Sequence, residues 1–272
     1  MSMTTKRVEI LPAKRRAMIL DHLRSNGASA ITELAAALGG SHSTIRRDLE
    51  HLVEGGYLER THGGALLRTP ARTTFEHEPS INAELRHPQK AAIGRAAALM
   101  LQAGESVIFD GSSTVLEAVR AAAERSIALT AITNSLDTAS FCSDTAGWRV
   151  IVPGGTIRAG TRLLVGDLGC AFFDGVHADV CMTGALAVTN TTLTDASLEI
   201  AAIKKAMLRS ARRKILLVDS SKFTTPAFCT FADLSAFDAV VTDSGIKPEV
   251  LDKLRMAGTE VTVAPVTADD GL

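Results

Sequence analysis

Two kinds of chemistry can be read from short stretches of this sequence. In Ser41-His42-Ser43-Thr44-Ile45-Arg46-Arg47, small hydroxyl residues precede a pair of arginines. A guanidinium can grip guanine O6 and N7 with two hydrogen bonds, while hydroxyls, cations and free helix N–H groups suit phosphate. Further along, five apolar runs end in small polar or glycine residues. These ends are Asp110-Gly111-Ser112-Ser113-Thr114, Thr133-Asn134-Ser135, Gly154-Gly155, Thr183-Gly184-Ala185 and Asp219-Ser220-Ser221-Lys222. Glycine lets backbone approach a ligand closely, hydroxyls and amides donate hydrogen bonds, and a following helix offers N–H groups to an anion. Each end alone could be a plain turn or cap. Five on one rim would favour an anion, and Arg158, Lys204 and Lys222 are the cations placed to complete such a site. Arg162 reads better as surface charge.

The arginine pair needs a helix to aim it. Pro12 can start a first helix with Met18, Ile19 and Leu23 on one face, ended by Asn26-Gly27. Thr32 is read as the cap of a second, with Leu34, Ala35 and Leu38 inward, and Gly39-Gly40 as its end. Ser41 then caps a third, whose buried stripe is Ile45, Leu49 and Leu52. At about 100° per residue, Ser43 and Arg47 lie about 160° and 200° from Ile45, facing outward, with Arg46 and Thr44 on the two flanks. Outward residues can reach base edges, and flanking ones phosphates. After Gly55-Gly56 the chain reads as a strand (Tyr57–Thr61), a turn and a returning strand to Leu67, a wing from which Arg60, His62 and Arg68 can reach the DNA backbone. Asp48 follows the arginines, but an acid near phosphates is unfavourable. We expect it to pair with an arginine of its own domain.

The strand ends need a sheet. The runs SVIFDG, ALTAITN, WRVIVPGG, ADVCMTGAL, KILLVDSS, AFDAVVTDS and EVTVAP are short, apolar and separated mostly by helical stretches. That alternation indicates an α/β domain with a largely parallel sheet, whose ligands bind beyond the strands' carboxyl ends. Between head and body, residues 69–88 carry Pro70, Pro79 and Pro88 without periodicity and read as a linker.

Bulk properties agree with two jobs. The chain has 272 residues, 46% hydrophobic and 22% charged, with net charge −1. Residues 1–68 hold 10 Lys and Arg against 7 Asp and Glu, and the remainder 19 against 23. A basic head on an acidic body follows. Cys142, Cys170, Cys181 and Cys229 have no metal-ligand spacing and read as reduced thiols. No apolar run approaches the roughly 18 residues of a membrane span, and the first residues lack a signal-peptide core, so a cytoplasmic protein is expected.

The stretch ITELAAALGGSHSTIRRDLEHLVEGGYLERTHGGA resembles the DNA-binding signature of the DeoR family of bacterial repressors. The shared residues are Glu33-Leu34-Ala35, Thr44-Ile45-Arg46-Arg47-Asp48-Leu49, and Arg60 with His62-Gly63-Gly64-Ala65. In the body, DGSST, ITNS, VPGGTIR, LVGD, TGA, IKKAM and DSSKF resemble the DeoR-type sensor domain, related to the pentose-phosphate isomerase and CoA-transferase fold. The resemblance implies a winged helix-turn-helix over 1–68, a linker over 69–88 and an α/β sensor over 89–272. It implies a repressor of a sugar or related carbon-metabolism operon, whose binding to double-stranded operator DNA responds to a phosphorylated sugar-type effector. It further implies a homo-oligomer without catalysis, cofactor, metal or membrane partner. DNA contacts would fall to Thr32, Ser41, Ser43, Thr44, Arg46, Arg47, Arg60 and His62. Effector contacts would fall to Asp110, Gly111, Ser112, Ser113, Thr114, Thr133, Asn134, Gly154, Gly155, Arg158, Gly184, Lys204 and Lys222. Two positions depart from the family: Gly40 replaces a small apolar residue, and Ile200 stands where a Glu commonly precedes the lysine by four, with Glu199 beside it.

Two other readings stay open at this point. An isomerase or transferase with a DNA-binding appendage would use strand-end carboxylates such as Asp110 or Asp219 as acid or base. A nucleoid-type binder would grip DNA without a discrete site.

Overall fold

A computed structural model of the chain describes residues 10–68 and 72–267. These divide into two compact units: the first runs to Arg72 and adds His77–Arg86, and the second comprises Thr73–Glu76 and the chain from His87 onward.

The first unit opens with α1 (Pro12–Asn26), started by its N-terminal proline and stopped at Gly27. It buries Ala17, Ile19, Leu20 and Leu23, whereas Met18 is only half-buried. A two-residue strand β1 (Ser29–Ala30) precedes α2 (Ile31–Leu38). Thr32 is not the cap expected for α2. Ala30 holds the cap position, and the Glu33 carboxylate reaches back to accept from its N–H at 2.8 Å and from Ser29 Oγ at 2.9 Å. The wider reach of glutamate displaces the cap two residues upstream, leaving Thr32 exposed on the first turn. Ser41 does cap α3 (His42–Glu54), accepting from the Thr44 N–H at 3.1 Å. The wing is β2 (Leu58–Thr61) with β3 (Gly64–Leu67), and β1 joins β3 to complete a sheet of order β1-β3-β2. Gly64 is required there, because a Cβ would stand 2.2 Å from the Ser29 carbonyl oxygen.

The stretch expected as a linker is not irregular throughout. It contains α4 (Pro79–Glu84), which buries Ile81 and packs against α1. Tyr57 holds the preceding turn, its ring stacked on His77 and its hydroxyl accepting the Glu78 N–H at 2.7 Å. Proline at a first helical position and a tyrosine anchor build structure where composition suggests none. The first body helix, α5 (His87–Ala98), also begins earlier than expected, with Pro88 inside its first turn.

The second unit continues β4 (Ser106–Phe109), α6 (Ser113–Glu124), β5 (Leu129–Thr133), α7 (Leu136–Ser143), β6 (Trp148–Ile151), β7 (Thr156–Ile157), β8 (Leu164–Val165), α8 (Asp167–Asp174) and β9 (Ala178–Thr183). It then runs β10 (Ala187–Thr189), β11 (Thr192–Asp195), α9 (Leu198–Arg209), β12 (Ala211–Leu217), β13 (Cys229–Asp233), β14 (Ala239–Asp243), α10 (Pro248–Met256) and β15 (Glu260–Ala264). The seven runs read as strands form one sheet of order β15-β14-β12-β9-β4-β5-β6, parallel throughout. Successive residues serve opposite faces. Val107, Phe109, Val180, Met182, Ile215 and Leu217 pack with α5 and α6, while Ile108, Cys181 and Leu216 pack with α8 and α9. Two small antiparallel sheets, β7-β8 and β10-β11-β13, were not anticipated. The run ADVCMTGAL holds the whole of β9, which stops at Thr183, and its last three residues lead into β10, which begins at Ala187.

Strand order reverses between β4 and β9. The chain moves from β4 through β5 to β6, then returns to β9 on the other side of β4 and proceeds outward through β12, β14 and β15. The crevice at such a reversal is where open α/β sheets hold ligands.

Candidate functional site

On α3 the buried stripe and the outward face separate as the wheel requires. Ile45, Leu49 and Leu52 are at most 2% exposed, while Ser43, Arg46 and Arg47 are open to solvent. Neither arginine has an ion-pair partner among the described residues. Asp48 turns inward at 2% exposure, bonded to Arg15 at 2.5 Å and Arg16 at 3.1 Å, so the acid beside the arginine pair fastens α3 to α1. Ser41 Oγ is engaged in capping and lies 2.8 Å from Thr44 Oγ1 and 2.9 Å from Ser43 Oγ. On the wing, Arg60 is exposed and 3.1 Å from Glu50, and His62 sits on the exposed turn between β2 and β3.

At the carboxyl ends of β4 and β9, Asp110 is the hub. Its Oδ1 accepts the Ser112 N–H at 2.9 Å, and its Oδ2 accepts the Thr183 hydroxyl at 2.5 Å and the Gly184 N–H at 2.9 Å. Lys204 of α9 reaches this point at 7% exposure. Its Nζ donates to Asp195 Oδ2 at 2.8 Å and the Gly184 carbonyl at 3.0 Å, and stands 3.5 Å from Asp110. Burial alone would lower the Lys204 pKa, but the charges and hydrogen bonds of Asp195 and Asp110 outweigh it and hold the ammonium above the usual lysine range. Asp195 escaped the sequence reading. The signal was present, since it ends the short run TLTD that leads into the helix carrying Lys204.

The remaining rim residues divide by role. Gly184 and Gly111 are places of close approach: a Cβ would come within 2.6 Å of Ser112 Oγ in the first and 2.2 Å of Leu163 in the second. Thr133 Oγ1 accepts the Ser135 N–H at 3.1 Å and fixes the turn after β5, while Asn134 Nδ2 donates to the Leu164 carbonyl at 3.0 Å and ties the β7-β8 hairpin to that strand end. Gly154 and Gly155 are both exposed, and Gly155 lies at φ 138° against the Val165 carbonyl. Ser112 holds the N-cap position of α6 without a side-chain cap bond, and Ser113 and Thr114 open its first turn. Ser112 Oγ and Asn134 Oδ1 are buried atoms without a hydrogen-bond partner. Arg158, on the hairpin, is held by both oxygens of Glu76 at 2.8 and 3.2 Å. Lys222, in a short 3₁₀ turn after β12, is half-buried without an ion pair among the described residues. The geometry thus links Asp110, Ser112, Gly184 and Lys204 directly, and joins Arg158 to Gly111 through Leu163. Among the described residues no side-chain bond connects Lys222 to this cluster. Among the described residues no group of acidic, Cys and His side chains is arranged to hold a metal.

Residues 15–71 match the DeoR-like helix-turn-helix domain, and residues 85–244 match the DeoR C terminal sensor domain. The chain belongs to the DeoR family. The HTH-type transcriptional regulator GolR of Listeria innocua is 30% identical, covering 94% of this chain and 100% of its own. The lactose phosphotransferase system repressor of Lactococcus lactis subsp. lactis is 30% identical over 88% of this chain and 94% of its own. Ribose 5-phosphate isomerase A of Methanocaldococcus jannaschii overlaps 50% of this chain and 53% of its own at a TM-score of 0.38 and 16% identity. With a DNA-binding module and a sensor module, this DeoR protein is a DNA-binding transcriptional regulator and not an enzyme. No helix among its described residues is long and apolar enough to cross a membrane.

Both departures from the DeoR pattern have a structural reading. Ile200 is 7% exposed on the buried face of α9. Glu199 is exposed and bonded to Ser197 Oγ at 2.5 Å, which, with the charge of Arg158, keeps its carboxyl below the ordinary range. The acid has therefore left the buried face. At Gly40, an added Cβ would meet Ile45 Cδ1 at 3.2 Å, so the glycine leaves the space where the usual apolar side chain would pack.

Proposed function

We propose that this DeoR-family regulator is a repressor of a sugar or related carbon-metabolism operon, and that a phosphorylated sugar-type effector at the sheet's carboxyl rim changes its operator affinity. DNA binding falls to residues 1–68 and sensing to residues 89–272, joined by residues 69–88. Ser43 and Arg47 read base edges, and Arg46, Thr44, Arg60, His62 and the start of α3 meet phosphates. Two copies would present two such helices to a palindromic operator, so the working form is a homo-oligomer acting in the cytoplasm. The single observation that carries the effector reading is the unpartnered, buried Ser112 hydroxyl. Ser112 stands at the N-cap position of α6 without its hydroxyl bonding the helix, so the first-turn N–H groups beside the reversal between β4 and β9 are left for an anion. A buried polar atom without a partner is costly unless something visits it, and an anion there would meet a helix dipole and a hydroxyl donor. A related protein named a lactose phosphotransferase system repressor agrees with a sugar-linked role. The test is a thermal-shift screen against sugar phosphates, coupled to footprinting at about 150 mM salt. A ligand at 100 times its dissociation constant should add about 2.7 kcal/mol. A panel that leaves the protein's unfolding unmoved would remove the effector, and a footprint without boundaries would remove the operator.

A further inference from the structure

The four residues Thr73–Glu76 belong to the second unit, although the chain on both sides of them belongs to the first. Among the contacts that hold them are two that matter here. The Phe228 N–H donates to the Thr73 carbonyl at 3.1 Å, and the Arg158 guanidinium grips both oxygens of Glu76. This ion pair is neither buried nor free, with side chains 26% and 30% exposed. Arg158 sits on the hairpin that covers the rim: its N–H donates to the Leu163 carbonyl at 2.9 Å, and Leu163 lies against Gly111 at the end of β4. Glu199 also feels its charge. A fork of two parallel bonds from arginine accepts a phosphate in the same geometry as a carboxylate. The next residues along the chain are fastened elsewhere. His77 and Glu78 are held by Tyr57, and Glu78 Oε1 lies 2.9 Å from His51 Nε2 on α3.

We infer that Glu76 is an internal substitute for the effector's anion: it occupies Arg158 while the rim is empty, and an arriving phosphate displaces it and releases the Glu76 end of residues 73–76 from the body. This rests on the effector reading above and specifies its regulation. Displacement changes how the chain enters the Glu78–His51 contact on the DNA-reading helix, because only one peptide bond separates Glu76 from the stretch anchored there. A ligand shifts an equilibrium only through a difference in affinity for two states, and the occupied and vacated guanidinium are those states. The competing carboxylate lowers apparent affinity in proportion to the fraction of Arg158 it holds.

The full-length protein and its variants Glu76→Gln and Arg158→Gln are titrated with inorganic phosphate by calorimetry, and with operator DNA by fluorescence anisotropy. Glu76→Gln should bind phosphate about tenfold more tightly than wild type, and Arg158→Gln about tenfold more weakly, the size of one charge-assisted hydrogen-bonded pair. Without ligand, both variants should shift operator affinity in the same direction. The double variant should shift it no further, because all three break one pair. Arg158→Lys, which keeps the charge and loses the fork, guards against misfolding of Arg158→Gln and should fall between it and wild type. Equal phosphate affinity in wild type and Glu76→Gln, with Arg158→Gln weakened, overturns the displacement and leaves the effector site standing. Absence of phosphate binding in every form overturns both.

Discussion

Arg46 and Arg47 are neighbours in sequence, yet about 100° of helix rotation gives them separate tasks. Arg47 points from the middle of the outward face and Arg46 from its flank, and both are free of ion pairs among the described residues. Arg47→Ala should therefore cost about 1–3 kcal/mol at one operator position and relax the preference there, whereas Arg46→Ala should weaken all sequences alike. Anisotropy titrations against operators substituted one base pair at a time separate the two. A uniform loss from Arg47→Ala would reverse the assignment. Lys204 is the opposite kind of cation. Its charge is spent inside, between Asp195 and Asp110, at 7% exposure. Lys204→Met should cost about 3–5 kcal/mol in urea unfolding, because it leaves two buried carboxylates without their counter-charge. The pH dependence has a definite sign. The folded pKa lies above 10.5, so this stabilisation is complete below that value and is lost as pH rises through the higher folded value. Wild type should lose stability over that alkaline range by more than Lys204→Met does.

Elements differ in how openly their causes are written in the residues. The three head helices carry a periodic apolar signal, and the wing and the seven parallel strands are short apolar runs set between turns, so all were legible. The rest depended on long-range contacts. β1 is two residues long and exists because Gly64 lets β3 approach Ser29; the Thr32 cap lost to Glu33, a side chain long enough to reach back; and α4 is held by Tyr57. At the candidate site, the strand ends were visible one by one. What could not be read is pairing: Asp195 beneath Lys204, and Glu76 in the fork of Arg158, which is 82 residues away. Two glycines turn this into a contrast. Gly40→Ala places a methyl 3.2 Å from the end of a flexible Ile45 side chain, and its backbone φ is ordinary. Ile45 can yield, so loss of unfolded-state freedom should raise stability by about 0.4–1 kcal/mol. Gly64→Ala drives a methyl to 2.2 Å from a backbone oxygen that cannot yield without breaking the β1-β3 pairing. It should destabilise the wing and lower operator affinity. Thermal unfolding of the two variants side by side checks the opposite signs.

The whole molecule joins a basic head to an acidic body with a net charge of −1, so its hold on DNA comes from local charge and not from the total. Operator affinity should therefore fall steeply and linearly on a log–log plot against salt, with a slope of about −0.9 per phosphate contacted. Sensing imposes a further condition, because binding at two sites of one molecule is linked. If a sugar phosphate changes operator affinity by some factor, the operator must change sugar phosphate affinity by the same factor. For regulators of this kind that factor is about 5–150-fold, or roughly 1–3 kcal/mol. The measurement is a pair of titrations in one buffer: operator into protein with and without saturating sugar phosphate, and sugar phosphate into protein with and without saturating operator. Equal factors are expected, and both should shrink together in Arg158→Gln if the coupling passes through the guanidinium held by Glu76. A sugar phosphate that binds with unchanged affinity whether or not the operator is present would mean that head and body share a chain and nothing else.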